Sequence, residues 1–379
     1  VGDIEGMPFL ESIRQIRIEE DDPDTLFVHV TLVPESEAGE QKTKPTQHSV
    51  KQLRSIGIQP NMIVSRSSDT LNQEPREKIA MFCDVDKESV FSNPDMEDIH
   101  MVPLFFEDND VHHHIADQLG MDIGDVVSQE WRSTVSRQLE NSVDIVIAGK
   151  YDMDDAYYSI YEALKHSGLN HYVDVNVKRV NTENLDENEW DEIKSSDGII
   201  VPGGFGQRGI EGKIDVCEYV RSNDVPYLGI CLGFQASVIE YARNITGLDG
   251  ANTTEIEGTV EHPVIDILPE QEQIEEMGST MRLGAHMTMI EPNTLAHQLY
   301  DDNKTRERHR HRYELNPDYI DKLQDQNLKF SGWSERRMEI VEIQEHPYYI
   351  ACQFHPEFKS RSTSTAPLFD GLIEACSSN

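Results

Sequence analysis

The sequence has few basic residues, no paired cysteines and no long apolar run. Lysine and arginine total 33 against 70 aspartate and glutamate residues, which gives a formal net charge of -37. Because so acidic a surface repels nucleic-acid phosphate and anionic lipid, we expect binding neither to nucleic acid nor to a membrane. No apolar run reaches the roughly 18 to 20 residues that a membrane span needs, and no leader-like segment opens the chain. These absences predict a soluble, cytoplasmic protein.

The cysteines and lysines are also few. Five cysteines, at positions 83, 217, 231, 352 and 376, are widely spaced and include no Cys-x-x-Cys pair. This pattern indicates neither a disulfide framework nor a zinc site. With 14 lysines against 19 arginines and acids spread along the chain, we interpret the composition as adaptation to high salt. The alternative is an acidic protein of an ordinary cytoplasm, because charge balance determines solubility and not fold.

The length of 379 residues predicts two domains, since one core rarely serves so long a chain. Residues 1–119 mix short helical and strand patterns that are too few for a complete sheet. The stretch 120–142 is polar with scattered apolar residues, and we interpret it as an interdomain linker. Residues 143–379 form the second predicted domain.

The second predicted domain begins with a regular alternation of strands and helices. Strands are predicted at 144–148, 173–180, 198–201 and 227–230, and helices at 156–166 and 210–220. This alternation is typical of an α/β fold with a mostly parallel central sheet covered by helices on both faces. Ligands of such sheets bind where strands end and turns lead into helices. Two motifs lie at such turns.

The first motif places Cys231 between Gly229 and Gly233, after an apolar strand and before a helical pattern. Gly-x-Cys-x-Gly predicts a nucleophile elbow, because the tight turn leaves no room for neighbouring side chains. The positive end of the following helix favours a thiolate. The alternative for Cys231 is a small buried hydrophobe, the usual role of a free cysteine.

Partners for a thiolate occur in Phe354-His355-Pro356-Glu357, after another apolar strand. His355 would move the proton and Glu357 would orient the imidazole, although alone this segment is more typical of an ordinary loop. The second glycine-rich turn, Pro202-Gly203-Gly204-Phe205-Gly206, offers backbone amides for an oxyanion hole. It could instead cradle nucleotide phosphate, but no Gly-Lys-Ser/Thr follows it.

Together the three motifs resemble those of class I glutamine amidotransferases. The resemblance implies that Cys231 is the nucleophile, His355 the base and Glu357 its orienting acid, with the oxyanion held by the amides of Gly204 and Leu232. It also implies a glutamine site formed by Gly204, Leu232, Gly233, Phe234, Gln235 and Glu255.

A basic segment, Arg308-His309-Arg310-His311-Arg312-Tyr313-Glu314, stands out in so acidic a chain and predicts an anion site. The alternative is a surface ion-pair network with Glu307 and Glu314. The segment resembles the Arg-His-Arg-His-Arg-Tyr-Glu signature of CTP synthases, in which the arginine at Arg312 meets the glutamine carboxylate. Val1-Gly2-Asp3-Ile4-Glu5, Lys42-Thr43-Lys44-Pro45-Thr46-Gln47 and Lys78-Ile79-Ala80-Met81-Phe82-Cys83 also resemble segments of that family.

The nucleotide sites follow from this resemblance. Only five lysines precede residue 100, and three of them are Lys42, Lys44 and Lys78. Their ammonium groups are suited to triphosphate oxygens. Any one of them alone would be interpreted as a solvated surface lysine. The resemblance implies a UTP site, overlapping that of inhibitory CTP, formed by Asp3, Ile4, Glu5, Lys42, Thr43, Lys44, Pro45, Thr46, Gln47 and Lys78. It places Arg66 and Asp95 near ATP, and the loop from Phe205 to Gly212, with Arg208, where GTP acts as an allosteric activator.

The implied fold is the C-terminal part of a P-loop-type amidoligase domain followed by a class I glutamine amidotransferase domain. The implied activity is the ATP-dependent amination of UTP to CTP with ammonia from L-glutamine, the final step of de novo CTP synthesis, in a homotetramer. Because the family's P-loop and magnesium-binding acids precede the segment matching Val1, we expect Mg²⁺ to bind mainly outside this chain. By itself, this chain is expected to retain only the glutaminase half of the reaction. The first alternative is a free-standing glutaminase or an amidotransferase whose acceptor is not UTP. The second is a non-catalytic subunit that senses nucleotides or assembles into filaments.

Overall fold

The computed structural model describes residues 3–19, 25–124, 129–151, 153, 155–256, 259–267, 281–324 and 327–378. The chain divides into two compact units, Val1–Val135 and Ser136–Asn379. Among the described residues, no helix is both long enough and apolar enough to span a membrane.

The first unit is built on a three-stranded parallel sheet in the order β1-β2-β3. Its core packs apolar residues of the strands and of two helices, including Val50, Ile63, Ile79 and Val90. Its strands are β1 (Val28–Leu32), β2 (Met62–Ser67) and β3 (Val90–Pro94), and its helices are α1 (Met7–Glu19), α2 (Lys44–Ser55), α3 (Gln73–Cys83), α4 (Val102–Asp108), α5 (Val111–Gln118) and α6 (Gln129–Val135).

The second unit contains a nine-stranded sheet in the order β11-β10-β13-β14-β15-β7-β6-β4-β5 and a small sheet β12-β9-β8. The strands are β4 (Asn141–Gly149), β5 (Val173–Asn181), β6 (Gly198–Val201), β7 (Tyr227–Ile230), β8 (Ala251–Thr253), β9 (His262–Asp266), β10 (Arg282–Ile290), β11 (Lys304–His311), β12 (Glu314–Leu315), β13 (Leu328–Ser334), β14 (Arg337–Ile343) and β15 (Tyr349–Cys352). The helices are α7 (Tyr158–His171), α8 (Glu187–Ser195), α9 (Ile210–Ser222), α10 (Leu232–Asn244), α11 (Leu295–Tyr300), α12 (Ile320–Leu323) and α13 (Pro367–Ser377).

Five strands of the large sheet, β15-β7-β6-β4-β5, pair in parallel, and the other four extend the sheet with antiparallel pairs. Every residue of β6 and β7 is buried, as expected for parallel strands covered on both faces. Helices α9 and α10 contribute Ile214 and Ile239 to the core on one face, whereas α7 and α13 contribute Leu164 and Leu372 on the other.

The predicted α/β fold class is confirmed, and the strands and helices predicted between residues 144 and 230 occur at or near their expected positions. The polar stretch 120–142, interpreted from the sequence as a linker, contains helix α6 and the start of β4, and the boundary between the two units falls inside it. Its scattered apolar residues explain the helix: Val135 is buried, and the Trp131 indole donates a 2.9 Å hydrogen bond to the His100 carbonyl.

Candidate active site

Cys231 occupies the turn between β7 and α10. Its backbone has φ 54° and ψ -98°, a strained conformation for a residue with a side chain. Two hydrogen bonds hold it there, because the Cys231 amide donates to the Cys352 carbonyl at 2.7 Å and the Gln235 amide donates to the Cys231 carbonyl at 3.2 Å. The turn therefore fixes the cysteine between the ends of β7 and β15 and at the first turn of a helix, as the elbow motif predicts.

The two glycines beside Cys231 are required by close backbone contacts. A Cβ atom on Gly233 would lie 2.0 Å from the Val201 carbonyl oxygen, and one on Gly229 would lie 2.7 Å from the Ala351 Cβ. Because these neighbours belong to adjacent strands of a packed sheet, moving them aside would disrupt the packing of the core. The glycines thus let β6, β15 and α10 converge around the cysteine.

His355 and Glu357 follow β15, the strand beside β7. The Nδ1 of His355 lies 2.7 Å from Oε1 of Glu357, and both side chains are largely buried. Burial opposes protonation of His355, but the Glu357 carboxylate and a hydrogen bond with Cys231 outweigh it, so the pKa of His355 is raised well above its usual value. A protonated imidazole beside the sulfur stabilises a thiolate.

The glycine-rich turn after β6 lies against these groups. The Cβ position of Gly203 would be 3.0 Å from Cε1 of His355 and 3.4 Å from Cβ of Cys231, and that of Gly204 would be 3.4 Å from Cδ2 of Leu232. A cavity of about 460 Å³ opens here. Its walls are formed by Tyr151, Asp155, Tyr157, Tyr158, Ser159, Ile160, Gly203, Gly204, Phe205, Cys231, Arg310, His355, Glu357 and Phe358.

Gln235, in the first turn of α10, is only 3% exposed. Its side-chain amide donates to the Tyr313 carbonyl at 2.9 Å and to the Gln353 side chain at 3.2 Å. The Gln353 amide in turn approaches the Cys231 sulfur at 3.7 Å. In this structure Gln235 therefore holds together the segments around Cys231, and Gln353 is a neighbour of Cys231 that the sequence motifs did not single out. Phe234 is wholly buried in the core.

The loop after Gly204 is held from two sides. Glu255 accepts a 2.6 Å hydrogen bond from the Gly206 amide, and the buried ammonium of Lys150 donates to carbonyls of the loop, among them Gly206 at 3.0 Å. Arg208, in the loop linked by resemblance to GTP, pairs with Glu183 at 2.9 Å. Lys150 was missed by sequence reasoning, although its position at the carboxyl end of β4 follows the rule that identified the other turns.

The basic segment Arg308–Glu314 does not form the single cluster of positive charge that the sequence predicts. Along β11 the side chains alternate, so Arg308 and Arg310 are exposed whereas His309 and His311 are buried. Burial and the nearby Arg282 lower the pKa of both histidines, which are therefore neutral. Only the arginines remain for an anion: Arg310 lines the cavity with its guanidinium 5.7 Å from the Phe205 ring centre, and the half-exposed Arg312 contacts Tyr313.

The acids proposed as alternative partners of these arginines pair elsewhere. Glu307 is 1% exposed and lies 3.3 Å from Lys359, and Glu314 is 2% exposed and lies 2.8 Å from Arg337. These two buried acids therefore do not form a surface ion-pair network with the arginines of β11.

A buried polar group lies on the inner face of β11. His309, His311 and Glu339 bring potential metal-ligand atoms within 4.8 Å of one another. However, the Arg282 guanidinium pairs with Glu339, and His309 and His311 are already hydrogen-bonded at 2.9 Å. A cation would have to displace both interactions, so the group fits a hydrogen-bonded core better than a metal site.

In the first unit, the predicted UTP residues fall into two kinds. Lys42 pairs with Glu40 at 2.6 Å, and Lys78 pairs with Glu74. Lys42 lowers the pKa of Glu40 the most, and the charge of Lys78 lowers it further. Thr46 is fully buried and donates to the Leu32 carbonyl at 3.4 Å. The lysines can meet an anion, whereas Thr46 fixes α2 against β1.

The remaining nucleotide residues lie at strand ends, near the start of the described chain and in the first turn of α2. Arg66 at the end of β2 pairs with Asp95, just beyond β3, at 3.2 Å, so the structure brings these two residues together. Asp3, Ile4 and Glu5 are exposed before α1, and Lys44 and Pro45 are exposed at the start of α2 beside the half-buried Gln47 and the buried Thr43.

Comparison with known proteins assigns both units to families. Residues 152–375 match the family described as glutamine amidotransferase class-I, and residues 1–121 match the family described as CTP synthase N-terminus. The CTP synthase of Natronomonas pharaonis is 57% identical over 378 residues, which are 99% of this chain and 69% of that protein. The CTP synthase of Archaeoglobus fulgidus is 53% identical over 380 residues, covering 99% of this chain and 71% of that protein.

A solved structure supports the same conclusion. The glutaminase domain of Trypanosoma brucei CTPS, with bound acivicin, is 35% identical, has a TM-score of 0.58, and matches 62% of this chain and 94% of its own length. With a family match in each unit and more than half of its residues identical to those of the two relatives, the chain belongs to the CTP synthase family and carries a class I glutamine amidotransferase domain.

Proposed function

We propose that this chain hydrolyses L-glutamine at Cys231 and supplies the ammonia for ATP-dependent amination of UTP to CTP. The observation that carries the proposal is the elbow cysteine beside a histidine whose other ring nitrogen lies 2.7 Å from a buried glutamate. In domain terms, residues 143–379 are the amidotransferase, 120–142 the connection, and 1–119 part of the synthetase.

The first half-reaction uses only residues of this chain. The Cys231 sulfur attacks the side-chain amide carbon of glutamine, and the amides of Gly204 and Leu232 hold the oxyanion. His355 gives its proton to the leaving nitrogen, so that ammonia departs and a thioester forms. His355 then takes a proton from water, which attacks the thioester and releases glutamate. Glu357 keeps the imidazole oriented throughout.

Glutamine recognition is proposed for two charged side chains and for residues of α10, none of which is among the residues that line the cavity. The Arg312 guanidinium would meet the substrate carboxylate, and Glu255 would meet its α-ammonium group. Gly233, Phe234 and Gln235 would act through the backbone and packing of α10, because the two larger side chains are buried. This division separates residues that touch glutamine from residues that shape its site.

The second half-reaction joins ammonia to UTP activated by ATP. We propose that Asp3 to Glu5, Lys42 to Gln47 and Lys78 contribute to the UTP site and to the overlapping site of inhibitory CTP, that Arg66 and Asp95 contact ATP, and that GTP activates through the loop with Arg208. Magnesium, when bound with ATP, would supply positive charge that neutralises the phosphates during phosphoryl transfer. Glu40 and Asp95 already pair with Lys42 and Arg66, so these two acids are not proposed as magnesium ligands.

The decisive experiment compares two nitrogen donors. We would join to this chain the part of the Natronomonas pharaonis relative that it does not cover, and measure CTP formation from UTP and ATP with magnesium in molar KCl. Cys231→Ala should abolish synthesis with glutamine and keep synthesis with ammonia. If the unchanged chimera releases glutamate from glutamine but makes no CTP from either donor, another acceptor replaces UTP. If it releases no glutamate, the glutaminase proposal is wrong.

We further propose that the protein is a cytoplasmic, salt-adapted homotetramer whose assembly is promoted by UTP and ATP. Its charge of -37 and its similarity to the Natronomonas pharaonis relative support the salt adaptation. Light scattering of the chimera in molar KCl, with and without the two nucleotides, tests the assembly, and a monomer under both conditions would contradict it.

A further inference from the structure

Lys150 is a buried cation beside the cavity that the proposed triad does not use. It follows β4 and is only 2% exposed. Its ammonium donates to three carbonyls of one loop, those of Phe205, Gly206 at 3.0 Å and Arg208 at 3.1 Å. An ammonium has three N–H groups, so these bonds satisfy it completely. All three hydrogen bonds of this ammonium therefore stabilise the conformation of the loop.

The amides of the same loop are held from another direction. The Gly206 amide donates to Oε1 of Glu255 at 2.6 Å, and the Phe205 amide donates to the Tyr151 hydroxyl at 3.4 Å. A buried cation thus fixes the carbonyls, and an anion and a phenol fix the amides. Together they set the orientation of the peptide groups that continue from Gly204.

The lysine stem also touches the peptide proposed as an oxyanion donor. A Cβ on Gly204 would lie 3.0 Å from Cε of Lys150 on one side and 3.4 Å from Cδ2 of Leu232 on another. One residue earlier, the Cβ position of Gly203 contacts His355 and Cys231. The Gly203-Gly204 segment is therefore packed between Lys150 and the nucleophile, with little freedom to rotate.

From these contacts we infer that Lys150 is a positioning residue for glutamine hydrolysis, which holds the Phe205–Arg208 loop so that the Gly204 amide points at the developing oxyanion. The inference rests on the proposed glutaminase activity. Loss of one oxyanion donor typically costs about 10²- to 10³-fold in kcat, so partial misalignment of one donor should cost about 10- to 100-fold.

The test separates oxyanion stabilisation from the reactivity of the sulfur. Attack on glutamine creates an oxyanion, whereas alkylation of Cys231 by iodoacetamide displaces iodide and creates none. Lys150→Met keeps the apolar stem and removes the donors. We expect its kcat for glutamine hydrolysis to fall about 10- to 100-fold. The KM for glutamine and the alkylation rate of Cys231 should stay within about threefold of wild type, the spread expected when no directional interaction is lost.

Controls make each outcome decisive. Lys194→Met, on the exposed surface of α8, should leave all three measurements unchanged, and Cys231→Ala identifies the alkylated residue. Wild-type kcat in Lys150→Met overturns the inference while the glutaminase proposal stands. A parallel loss of alkylation also overturns it, because the lysine would then act on the thiolate. Wild type that hydrolyses no glutamine, with or without GTP, overturns the proposed function itself.

Lys150→Gln provides the second variant if Lys150→Met does not fold, as judged by near-ultraviolet circular dichroism. Glutamine keeps two amide N–H donors and so cannot satisfy all three carbonyls. We expect a lowered kcat with an unchanged alkylation rate, and a wild-type kcat in this variant would overturn the inference.

Discussion

At the scale of single residues, the charge state of buried groups separates candidates for chemistry from parts of the core. Burial raises the pKa of Cys83 to about 11 and of Cys217 and Cys376 to about 12. It also raises the pKa of Cys352 well above its usual value, so all four are held as thiols. His309 and His311 are likewise held neutral, whereas His355 is held protonated. The same residue types therefore behave differently according to their burial and neighbours.

Glu357→Gln tests the orientation and charge of the triad. The change keeps the shape of the side chain but removes the carboxylate that holds Nδ1 of His355 and raises its pKa. We expect kcat for glutamine hydrolysis to fall by about 10²-fold or more, because the imidazole loses both its tautomer and its proton. Steady-state kinetics measure this loss. A kcat within threefold of wild type would rule out the role of Glu357.

Lys213→Met tests the cost of a buried amine. Lys213 is fully buried, with its ammonium on the Pro202 carbonyl at 2.5 Å, and burial, reinforced by Lys150, lowers its pKa to about 7. The unfolded chain keeps a normal pKa of about 10.4, so between pH 7 and 10 it holds a proton that the folded chain lacks. Wild type should therefore gain stability as pH rises through this range, whereas methionine has no such dependence.

The expected result is a difference in the free energy of unfolding between wild type and Lys213→Met that changes with pH. Relative to wild type, Lys213→Met should be most stable at pH 7 and below, and this advantage should shrink by about 1.4 kcal/mol for each pH unit above 7. Urea unfolding in molar KCl at pH 6.5, 8 and 9 measures the difference. A constant difference across these values would mean that Lys213 keeps its proton when folded.

At the scale of elements, the site depends on the close meeting of β6, β7, β15 and α10. The parallel pairing of β15 with β7 brings Cys231 and His355, which are more than a hundred residues apart in sequence, to neighbouring strand ends. β11 contributes through its backbone, since the Arg308 carbonyl accepts a 2.8 Å hydrogen bond from the His355 amide. The antiparallel extension of the sheet therefore supports the histidine.

Gly233→Ala tests this convergence. The new methyl group would lie 2.0 Å from the Val201 carbonyl oxygen, so β6 and α10 must separate. We expect a loss of about 1 to 3 kcal/mol or more in the free energy of unfolding, together with loss of glutamine hydrolysis. Gly6→Ala is the matched control, because its nearest contact would be an ordinary 3.6 Å. Equal stability and activity of the two variants would contradict the packing described here.

At the scale of the whole molecule, the dominant feature is the net charge of -37. Many acids lie on the surface, where repulsion among them destabilises the compact state when the screening length is long. The screening length falls from about 10 Å at 0.1 M salt to about 3 Å at 1 M salt. Salt should therefore stabilise this protein more than it stabilises proteins of balanced charge.

The salt prediction concerns thermal unfolding. We expect the unfolding temperature to rise continuously between 0.1 M and 2 M KCl, because screening relieves repulsion among surface carboxylates. Sucrose at matched osmolality is the control, since it favours compact states without screening charge. If KCl raises the unfolding temperature no more than sucrose does, the composition is not an adaptation to salt.

The sequence by itself determined the α/β class, the strands and helices between residues 144 and 230, and the motifs around Cys231, His355 and Glu357, because these depend on local periodicity and on short-range steric needs of glycine. It could not determine which face of β11 is buried, so it grouped His309 and His311 with the arginines. Nor did it show what Lys150 and Gln353 contact. Their contacts join segments far apart in the chain, and only the tertiary structure brings such segments together and sets the burial that decides charge.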